Sequence, residues 1–416
     1  MSCIPVVVIG AGQAGLAVSH LLTTGGVEHV VLERGRVAER WAAYRWKSLR
    51  LLTPNWLSRL PGFQYTGPDS AGFMSAAEVA GYLRRYARHS GAPVVEGARV
   101  WAVEREGDRY RVDTGAGCWT ADAVVVATGW CDVPRVPPVA AVLDPAIEQR
   151  TVADYHDATD LPDGGVLVVG ASATGVQLAD ELVGAGRRVM LAVGSHTRMP
   201  RRYRGLDSMW WLDAMGVLER PLDGHPHPAA ARAEPSMQLV GSTTGRDVDL
   251  RSLQDRGVGL VGRLAGGNRR SVRFADDLRE TTQRADARLR ELLRRIDRYA
   301  AAAGLSGEVE PPAPVRAVRI AGAVSALDLR DAGIRSVLWA TGYRRAYPWL
   351  RVPVLSDAGE IRHVDGLTPA PGLHVVGARW QSRRSSSFLD GVRHDAATVV
   401  GRVLDQIGAG VSGRAA

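Results

Sequence analysis

The sequence predicts an α/β protein with two Rossmann-like dinucleotide-binding domains, the first interrupted by the second. Two stretches, Val6–Leu22 and Val166–Leu182, each contain an apolar run, a glycine-rich turn and a helical pattern, which is how such a domain begins. A shorter motif is also repeated, at Val124–Trp130 and Val337–Tyr343. Each copy is an apolar strand that ends in Ala-Thr-Gly and an aromatic residue. In the simplest arrangement both chain ends form one domain, and the predicted ranges are 1–158, 159–325 and 326–416.

The first unit contains every part of a dinucleotide site. The run Ile4–Ile9 is continuously apolar, as expected of a parallel strand covered on both faces. It leads into a GxGxxG turn in which Gly10 permits the tight turn, Gly12 lets the backbone approach a pyrophosphate, and Gly15 lets the helix pack on the strand. The next predicted strand ends at Glu33, the position of the acid that binds ribose hydroxyls.

The second unit departs from this pattern in two places. Its turn, Gly170–Gly175, has Ser172 where the middle glycine is expected, and the strand after its helix, Arg188–Val193, is not followed by an acid. Hydroxyl and guanidinium groups come next, at Ser195, Arg198, Arg201, Arg202 and Arg204. A carboxylate would repel a 2′-phosphate and these groups would bind it, so the unit is predicted to prefer NADPH over NADH. The alternative is that these arginines only solvate a surface loop.

Composition excludes several other classes of protein. The 416 residues carry a formal charge of +8, but Lys47 is the single lysine and the arginines are mixed with acids, so nucleic-acid binding is not expected. No apolar segment suits a membrane span and the start lacks a secretory signal, so a cytoplasmic location is expected. Cys3, Cys118 and Cys131 are too widely spaced for a disulfide framework or a metal site. A monomer or a homodimer is expected.

The segment between the two units is larger than a mononucleotide fold needs. It includes an amphipathic pattern with apolar residues at helical spacing, Leu289, Leu292, Leu293, Ile296 and Tyr299. It also includes Trp210 and Trp211, which we expect in the core, with a substrate cavity as the alternative.

The whole arrangement resembles the class B flavin-dependent monooxygenases, which include the flavin-containing monooxygenases, in a bacterial branch of flavoprotein oxidoreductases. The matching elements are GAGQAG with Glu33, the ERW stretch Glu39–Trp41, Ser48–Gly62, GASATG, the two Ala-Thr-Gly strands and Phe388–Ala396. The resemblance implies that FAD is held by Gly10, Gly12, Gln13, Ala14, Gly15, Glu33, Arg34, Arg40, Trp41, Thr53, Val100, Ala127, Thr128, Gly129 and Gly377. It implies that NADPH is held by Gly170, Ser172, Ala173, Thr174, Gly175, Ser195, Arg198, Arg201, Ala340, Thr341 and Gly342. It places Leu52, Thr53, Ser387, Phe388 and Asp390 along the flavin.

The chain departs from the family pattern at two positions. The FxGxxxH fingerprint is missing, because its histidine would fall near Thr151, with Tyr155 matching the aromatic residue that follows. Leu52 stands where the family often has a polar side chain, frequently asparagine, beside the flavin. Both departures leave cofactor binding intact and concern how an oxygenated flavin is held.

The expected chemistry is hydride transfer from NADPH to FAD, followed by reoxidation of the flavin. No CxxC or CxxxxC pair is present to accept the electrons, so O2 is the expected acceptor, forming a flavin C4a-hydroperoxide that oxygenates a small organic substrate. The sequence does not distinguish N- or S-oxygenation, hydroxylation and Baeyer–Villiger oxidation. A role in secondary metabolism is one expectation. The alternative is an NADPH-dependent flavoprotein reductase or oxidase that does not oxygenate a substrate.

Overall fold

The chain folds into two sheet-based domains and a helical insertion. The structure is a computed structural model that describes residues 2–223, 225–242, 244–320, 322 and 324–414. The strands are β1 Ser2–Ile9, β2 His29–Leu32, β3 Arg59–Leu60, β4 Phe63–Gln64, β5 Val94–Val95, β6 Val100–Glu106, β7 Arg109–Thr114, β8 Gly117–Val126, β9 Val133–Pro134, β10 Glu148–Thr151, β11 Gly165–Val169, β12 Val189–Ala192, β13 Thr197–Arg198, β14 Arg202–Tyr203, β15 Leu206–Asp207, β16 Met237–Gln238, β17 Gly259–Val261, β18 Leu264–Gly267, β19 Ser271–Phe274, β20 Ala326–Asp328, β21 Ile334–Trp339, β22 Tyr343–Arg344 and β23 Leu373–Val375. The helices are α1 Gln13–Thr24, α2 Glu39–Ala43, α3 Ala76–His89, α4 Ala173–Gly184, α5 Ser208–Ala214, α6 Pro228–Ala233, α7 Leu250–Asp255, α8 Leu278–Ala302 and α9 Val392–Arg414.

The first domain is built on a mixed sheet with the order β5-β2-β1-β8-β7-β6. β23 also pairs with β8, at residues Val124–Val126. β1 is parallel to both β2 and β8, whereas β6, β7 and β8 form an antiparallel meander. Apolar side chains on one face pack against α1, α3 and α9, and those on the other face form a separate core with the residues after β22. The carboxyl-terminal segment therefore pairs with and packs on the sheet of the first domain.

The second domain is built on a fully parallel sheet with the order β10-β21-β11-β12-β17. Both faces are buried, which explains the continuous apolar runs of β11 and β21. The sheet is wider than the predicted range 159–325, because β10 before it and β21 after it pair with its strands. The sequence does not indicate β10, because its residues Glu-Gln-Arg-Thr are polar and carry no periodic apolar signal.

The two crossings between the domains lie side by side. β9 and β22 pair antiparallel, joining Val133 to Arg344 and Pro134 to Tyr343. The proline-rich stretch after Gly129 is thus a domain crossing, as predicted from its sequence.

The insertion supplies a helical layer to the second domain. α8 has the predicted amphipathic face, with Leu289, Leu293 and Ile296 buried against the helix α5. Trp211 is fully buried and its ring meets that of Trp210 edge to face at a centroid distance of 4.9 Å, so the expectation of a core position is confirmed for Trp211. Among the described residues, no helix is long and apolar enough to cross a membrane.

Candidate active site

The first glycine turn forms an open cradle at the carboxyl end of β1. Gly10 has a φ of +109°, and a Cβ there would lie 2.7 Å from the Ala127 carbonyl oxygen, so only glycine fits. A Cβ on Gly15 would overlap the Gly10 carbonyl oxygen, which explains the close packing of α1 on β1. A Cβ on Gly12, by contrast, would meet no protein atom within 4 Å. The space above Gly12 is therefore free for a ligand that touches the backbone.

Two charged side chains flank this cradle in orientations that suit a dinucleotide. Glu33 accepts hydrogen bonds from the Ala11 N–H at 2.8 Å and the Gly35 N–H at 3.0 Å, which fix its carboxylate beside the turn. Arg40 donates to the carbonyl of Asp132 at 2.6 Å and lies 4.8 Å from the ring centroid of Tyr44. It has no carboxylate partner among the described residues, and its buried Nε has no hydrogen-bond acceptor. Burial lowers the pKa of this guanidinium, and an anionic phosphate would compensate its charge.

A single cavity of about 1090 Å³ runs from this cradle to the helical insertion. More arginines than carboxylates line it, which suits a ligand with two phosphates. The predicted residues on its wall are Gly10, Gly12, Gln13, Ala14, Glu33, Arg34, Arg40, Trp41, Leu52, Thr53, Val100, Ala127, Thr128, Gly129, Gly377, Ser387 and Phe388. Gly15 is not on the wall and acts through helix packing. The residues present therefore fit FAD.

The far end of the cavity is formed by segments from both domains. Leu52 and Phe388 face Met209 and Met237 of the insertion, and the four side chains belong to one apolar cluster. The side-chain amide of Gln13 donates to the Ser387 carbonyl at 2.9 Å, which ties this segment to the start of α1. An apolar chamber of this kind excludes water from a reacting cofactor.

The structure does not place Asp390 on the cavity wall, contrary to the prediction that it lines the flavin. Its carboxylate is buried and accepts two hydrogen bonds from Arg59, at 2.6 and 2.9 Å, with Arg393 3.4 Å away. This pair joins β3 to the turn before α9. The family motif implied a position along the flavin, but the carboxylate of Asp390 is engaged by Arg59 instead.

The second glycine turn repeats the geometry of the first. Gly170 has a φ of +107°, and a Cβ there would lie 2.5 Å from the Ala340 carbonyl oxygen, while a Cβ on Gly175 would overlap the Gly170 carbonyl. Ala340 thus occupies the position that Ala127 has in the first domain, which explains the repeated Ala-Thr-Gly sequence. Ser172 is the N-cap residue of α4, Ala173 and Thr174 begin that helix, and Thr341 and Gly342 follow Ala340 at the domain crossing.

The loop after β12 differs from the prediction at two arginines. Arg198 is buried and donates to Asp249 at 2.7 Å and to Asp286 at 2.6 Å. Arg201 is only 1% exposed, pairs with Asp207, and donates to the Leu52 carbonyl at 2.8 Å. Neither guanidinium is placed to meet a 2′-phosphate. Ser195 is exposed at the end of the strand, where such a group would lie.

Two cavity residues were missed by the sequence prediction. Arg379 lies over the Trp130 ring at 5.1 Å, has no carboxylate partner among the described residues, and has its pKa lowered by burial. Trp380 is buried with a φ of +48°, an unusual conformation for a non-glycine residue. The motif GARW after β23 contained both residues, but nothing in its sequence indicated that the chain turns back toward the cavity there.

Comparisons with known proteins agree with this geometry. The family model described as pyridine nucleotide-disulphide oxidoreductase matches residues 7–207. The uncharacterized CzcO-like oxidoreductase of Geobacillus kaustophilus is 29% identical over 97% of this chain and 99% of its own length. The indole-3-pyruvate monooxygenase YUCCA4 of Oryza sativa subsp. japonica is 29% identical over 51% of this chain and 53% of its own length. The flavin-containing monooxygenase from Stenotrophomonas maltophilia has the same fold, with a TM-score of 0.67, 21% identity and coverage of 97% and 99%.

The fold, the two glycine cradles and these relatives define the class of the protein. The chain is a two-domain flavoprotein oxidoreductase that uses FAD and a nicotinamide dinucleotide. Within that class, the comparisons support an enzyme of the flavin monooxygenase kind.

Proposed function

We propose that the protein is an NADPH- and FAD-dependent monooxygenase that inserts one oxygen atom of O2 into a small organic substrate. FAD binds in the first cradle and NADPH in the second, and the substrate binds in the apolar chamber at the end of the cavity. When bound, the flavin supplies the redox chemistry and the reaction with O2. The protein supplies orientation, exclusion of water and hydrogen bonds.

The observation that carries this proposal is the continuity of the cavity. Its wall includes Gly12 and Glu33 of the first cradle, Leu52 and Phe388, and Met209 and Met237 of the insertion. A dinucleotide that follows the first cradle therefore ends against an apolar space that both domains enclose. Such a space suits a neutral amine, a sulfide or a ketone better than a charged partner protein.

The cysteines support oxygen as the electron acceptor. Cys3, Cys118 and Cys131 are all free. Cys131 alone lies on the cavity wall. One thiol without a partner cannot complete a dithiol–disulfide cycle within the chain.

The proposed preference for NADPH rests on the loop after β12. Its cation is Arg288 and not Arg198 or Arg201, the two arginines that the sequence predicted. No carboxylate follows that strand, and Ser195 is exposed. Burial lowers the pKa of His196 in this loop, and the charges of Arg198 and Arg288 lower it further. The hydrogen bond from Arg198 to Asp286, at 2.6 Å, packs α8 against this loop. Arg288 lies two residues further along α8, is exposed, and has no ion-pair partner among the described residues. We propose Ser195 and Arg288 as the 2′-phosphate ligands.

The choice of substrate rests on the chamber and on one relative. YUCCA4 is named for indole-3-pyruvate, a ketone with an aromatic group. The side chains of Met209, Met237 and Phe388 suit an apolar group of that size, and Arg379 is a cation on the same cavity wall. Apolar amines, sulfides and ketones are therefore the first compounds to test.

The alternative, an NADPH oxidase or reductase without oxygenation, is favoured by one observation. The side chain of Leu52 beside the expected flavin position has no hydrogen-bond donor. Anaerobic reduction followed by mixing with O2, with each candidate substrate present, separates the two functions. An oxygenated product supports the monooxygenase, whereas stoichiometric hydrogen peroxide with every candidate supports the oxidase.

A further inference from the structure

The second domain holds the cavity segment around Leu52 through a buried arginine. Arg201 lies in the loop between β13 and β14, and its Nη1 donates to the Leu52 carbonyl at 2.8 Å. Its other terminal nitrogen pairs with Asp207, and its guanidinium lies 4.9 Å from the Phe73 ring centroid. Arg201 is absent from the cavity wall, so the Leu52 carbonyl points away from the cavity into the domain interface.

The second domain also contacts Leu51, the residue before Leu52. Gly241 is buried, and a Cβ there would overlap the Leu51 carbonyl oxygen and would lie 2.8 Å from the Cβ of Phe73. Leu51 is also held from the first domain, because its N–H donates to the Met74 carbonyl at 2.8 Å. The backbone of Leu51 and Leu52 is thus fixed on both sides, and its orientation depends on the packing of the two domains.

This orientation determines where the next N–H points. The structure has no cis peptide bond among the described residues, and in a planar trans peptide the C=O and N–H groups point in opposite directions. The Thr53 N–H therefore points away from Arg201, toward the cavity that Leu52 and Thr53 line. Thr53 is 9% exposed, and among the described residues its N–H has no acceptor. This N–H can therefore donate to a ligand in the cavity.

We propose that Arg201 is a positioning residue that aims the Thr53 backbone N–H at the reactive edge of the bound flavin. This donor replaces the polar side chain that Leu52 does not provide. The proposal rests on the proposed function, because it requires FAD in the first cradle. It also explains why an arginine predicted to bind phosphate is buried at a domain interface.

The variant that tests this is Arg201→Lys, with Arg295→Lys as the matched control. Lysine keeps the positive charge opposite Asp207, so the variant is expected to fold. A single ammonium group cannot reproduce the planar guanidinium, which donates to both Asp207 and the Leu52 carbonyl. Arg295 is exposed on α8, is not on the cavity wall, and has no ion-pair partner among the described residues. Gly241→Ala is a second, independent variant, because its methyl group forces the Leu51 segment to move.

The measurements are the visible absorption bands and midpoint potential of the bound flavin without NADPH, and the rate of flavin reduction at saturating NADPH. We expect Arg201→Lys and Gly241→Ala to shift the bands and the potential. Because small misplacements near reacting groups have large effects, we expect the limiting reduction rate to fall about tenfold, with the Kd for NADPH unchanged. Arg295→Lys should match the wild type in all of these measurements.

Two results would overturn the proposal. The first is a wild-type spectrum, potential and limiting rate in Arg201→Lys. The second is an increased Kd for NADPH with an unchanged limiting rate, which would assign Arg201 to phosphate binding. If the wild type itself binds no FAD or is not reduced by NADPH, the proposed function fails. The variants then still report on the domain interface through their thermal stability relative to Arg295→Lys.

Discussion

Gly12 and Gly15 are three residues apart in one turn, yet the structure predicts opposite consequences for their substitution. A side chain at Gly12 enters the empty cradle without meeting protein, and its φ of −86° is accessible to any residue. Gly12→Val should therefore fold, at a cost of about 1 kcal/mol for the poorer helix N-cap. A side chain at Gly15 overlaps the Gly10 carbonyl, so Gly15→Ala should lose about 3 kcal/mol or more of folding stability.

The effect of Gly12→Val on FAD affinity follows from the hydrogen bonds that it blocks. The valine side chain holds a pyrophosphate away from the backbone N–H groups of the turn. Each hydrogen bond to a charged group contributes about 1.5–3 kcal/mol, so the loss of two such bonds weakens binding by roughly a hundredfold or more. The wild type should purify with FAD, and Gly12→Val should be colourless.

The assay combines a titration of apoprotein with FAD, followed by flavin fluorescence, and thermal unfolding of the apoproteins. Gly307→Val is the control, because a Cβ at Gly307 also meets no atom within 4 Å and this residue is not on the cavity wall. Wild-type FAD affinity in Gly12→Val would refute the assignment of the first cradle. Equal destabilisation of the Gly12→Val and Gly15→Ala apoproteins would refute the packing argument.

Three further predictions concern single side chains. Glu33→Ala should weaken FAD binding about tenfold, because it removes the predicted acceptor for ribose hydroxyls, as measured by the same titration. Arg288→Ala should raise the Kd for NADPH about tenfold and leave the Kd for NADH unchanged, as measured by stopped-flow reduction of the flavin. The control Arg290→Ala should change neither Kd. An unchanged Kd for NADPH in Arg288→Ala would exclude Arg288 as a ligand. Burial lowers the pKa of His374 to about 4, so the unfolded chain binds a proton between pH 6.5 and 4 that the folded chain does not, and stability falls as the pH falls through this window. His374→Leu should reduce that slope by at most about 1.4 kcal/mol per pH unit in denaturant titrations, and an unchanged slope would contradict the assignment.

The local parts of the fold could be predicted from the sequence because their signals are local. Glycine spacing, apolar strands and the acid after β2 lie within short stretches, and the structure has these elements where the motifs indicated. β10 was not predicted as part of the second sheet because its polar sequence carries no pattern, and only its pairing with β21 identifies it.

The roles of the arginines could not be predicted because they depend on carboxylates far away in the sequence. Arg198 pairs with Asp249 and Asp286, which lie 51 and 88 residues further along the chain. Asp390 is likewise used by Arg59, 331 residues away. In a sequence rich in arginine, the spacing after a strand does not distinguish a phosphate ligand from a buried ion pair. Only the three-dimensional arrangement of the carboxylates does so.

The yield of hydrogen peroxide per NADPH oxidised tests the central claim most directly. The measurement is made with purified holoenzyme in oxygenated buffer, first alone and then with each of a series of apolar amines, sulfides and ketones. The proposed function predicts NADPH consumption with substantial peroxide in the absence of substrate, and a peroxide yield well below one per NADPH with an accepted substrate, matched by oxygenated product. One peroxide per NADPH with every compound, and no oxygenated product, would contradict the assignment as a monooxygenase.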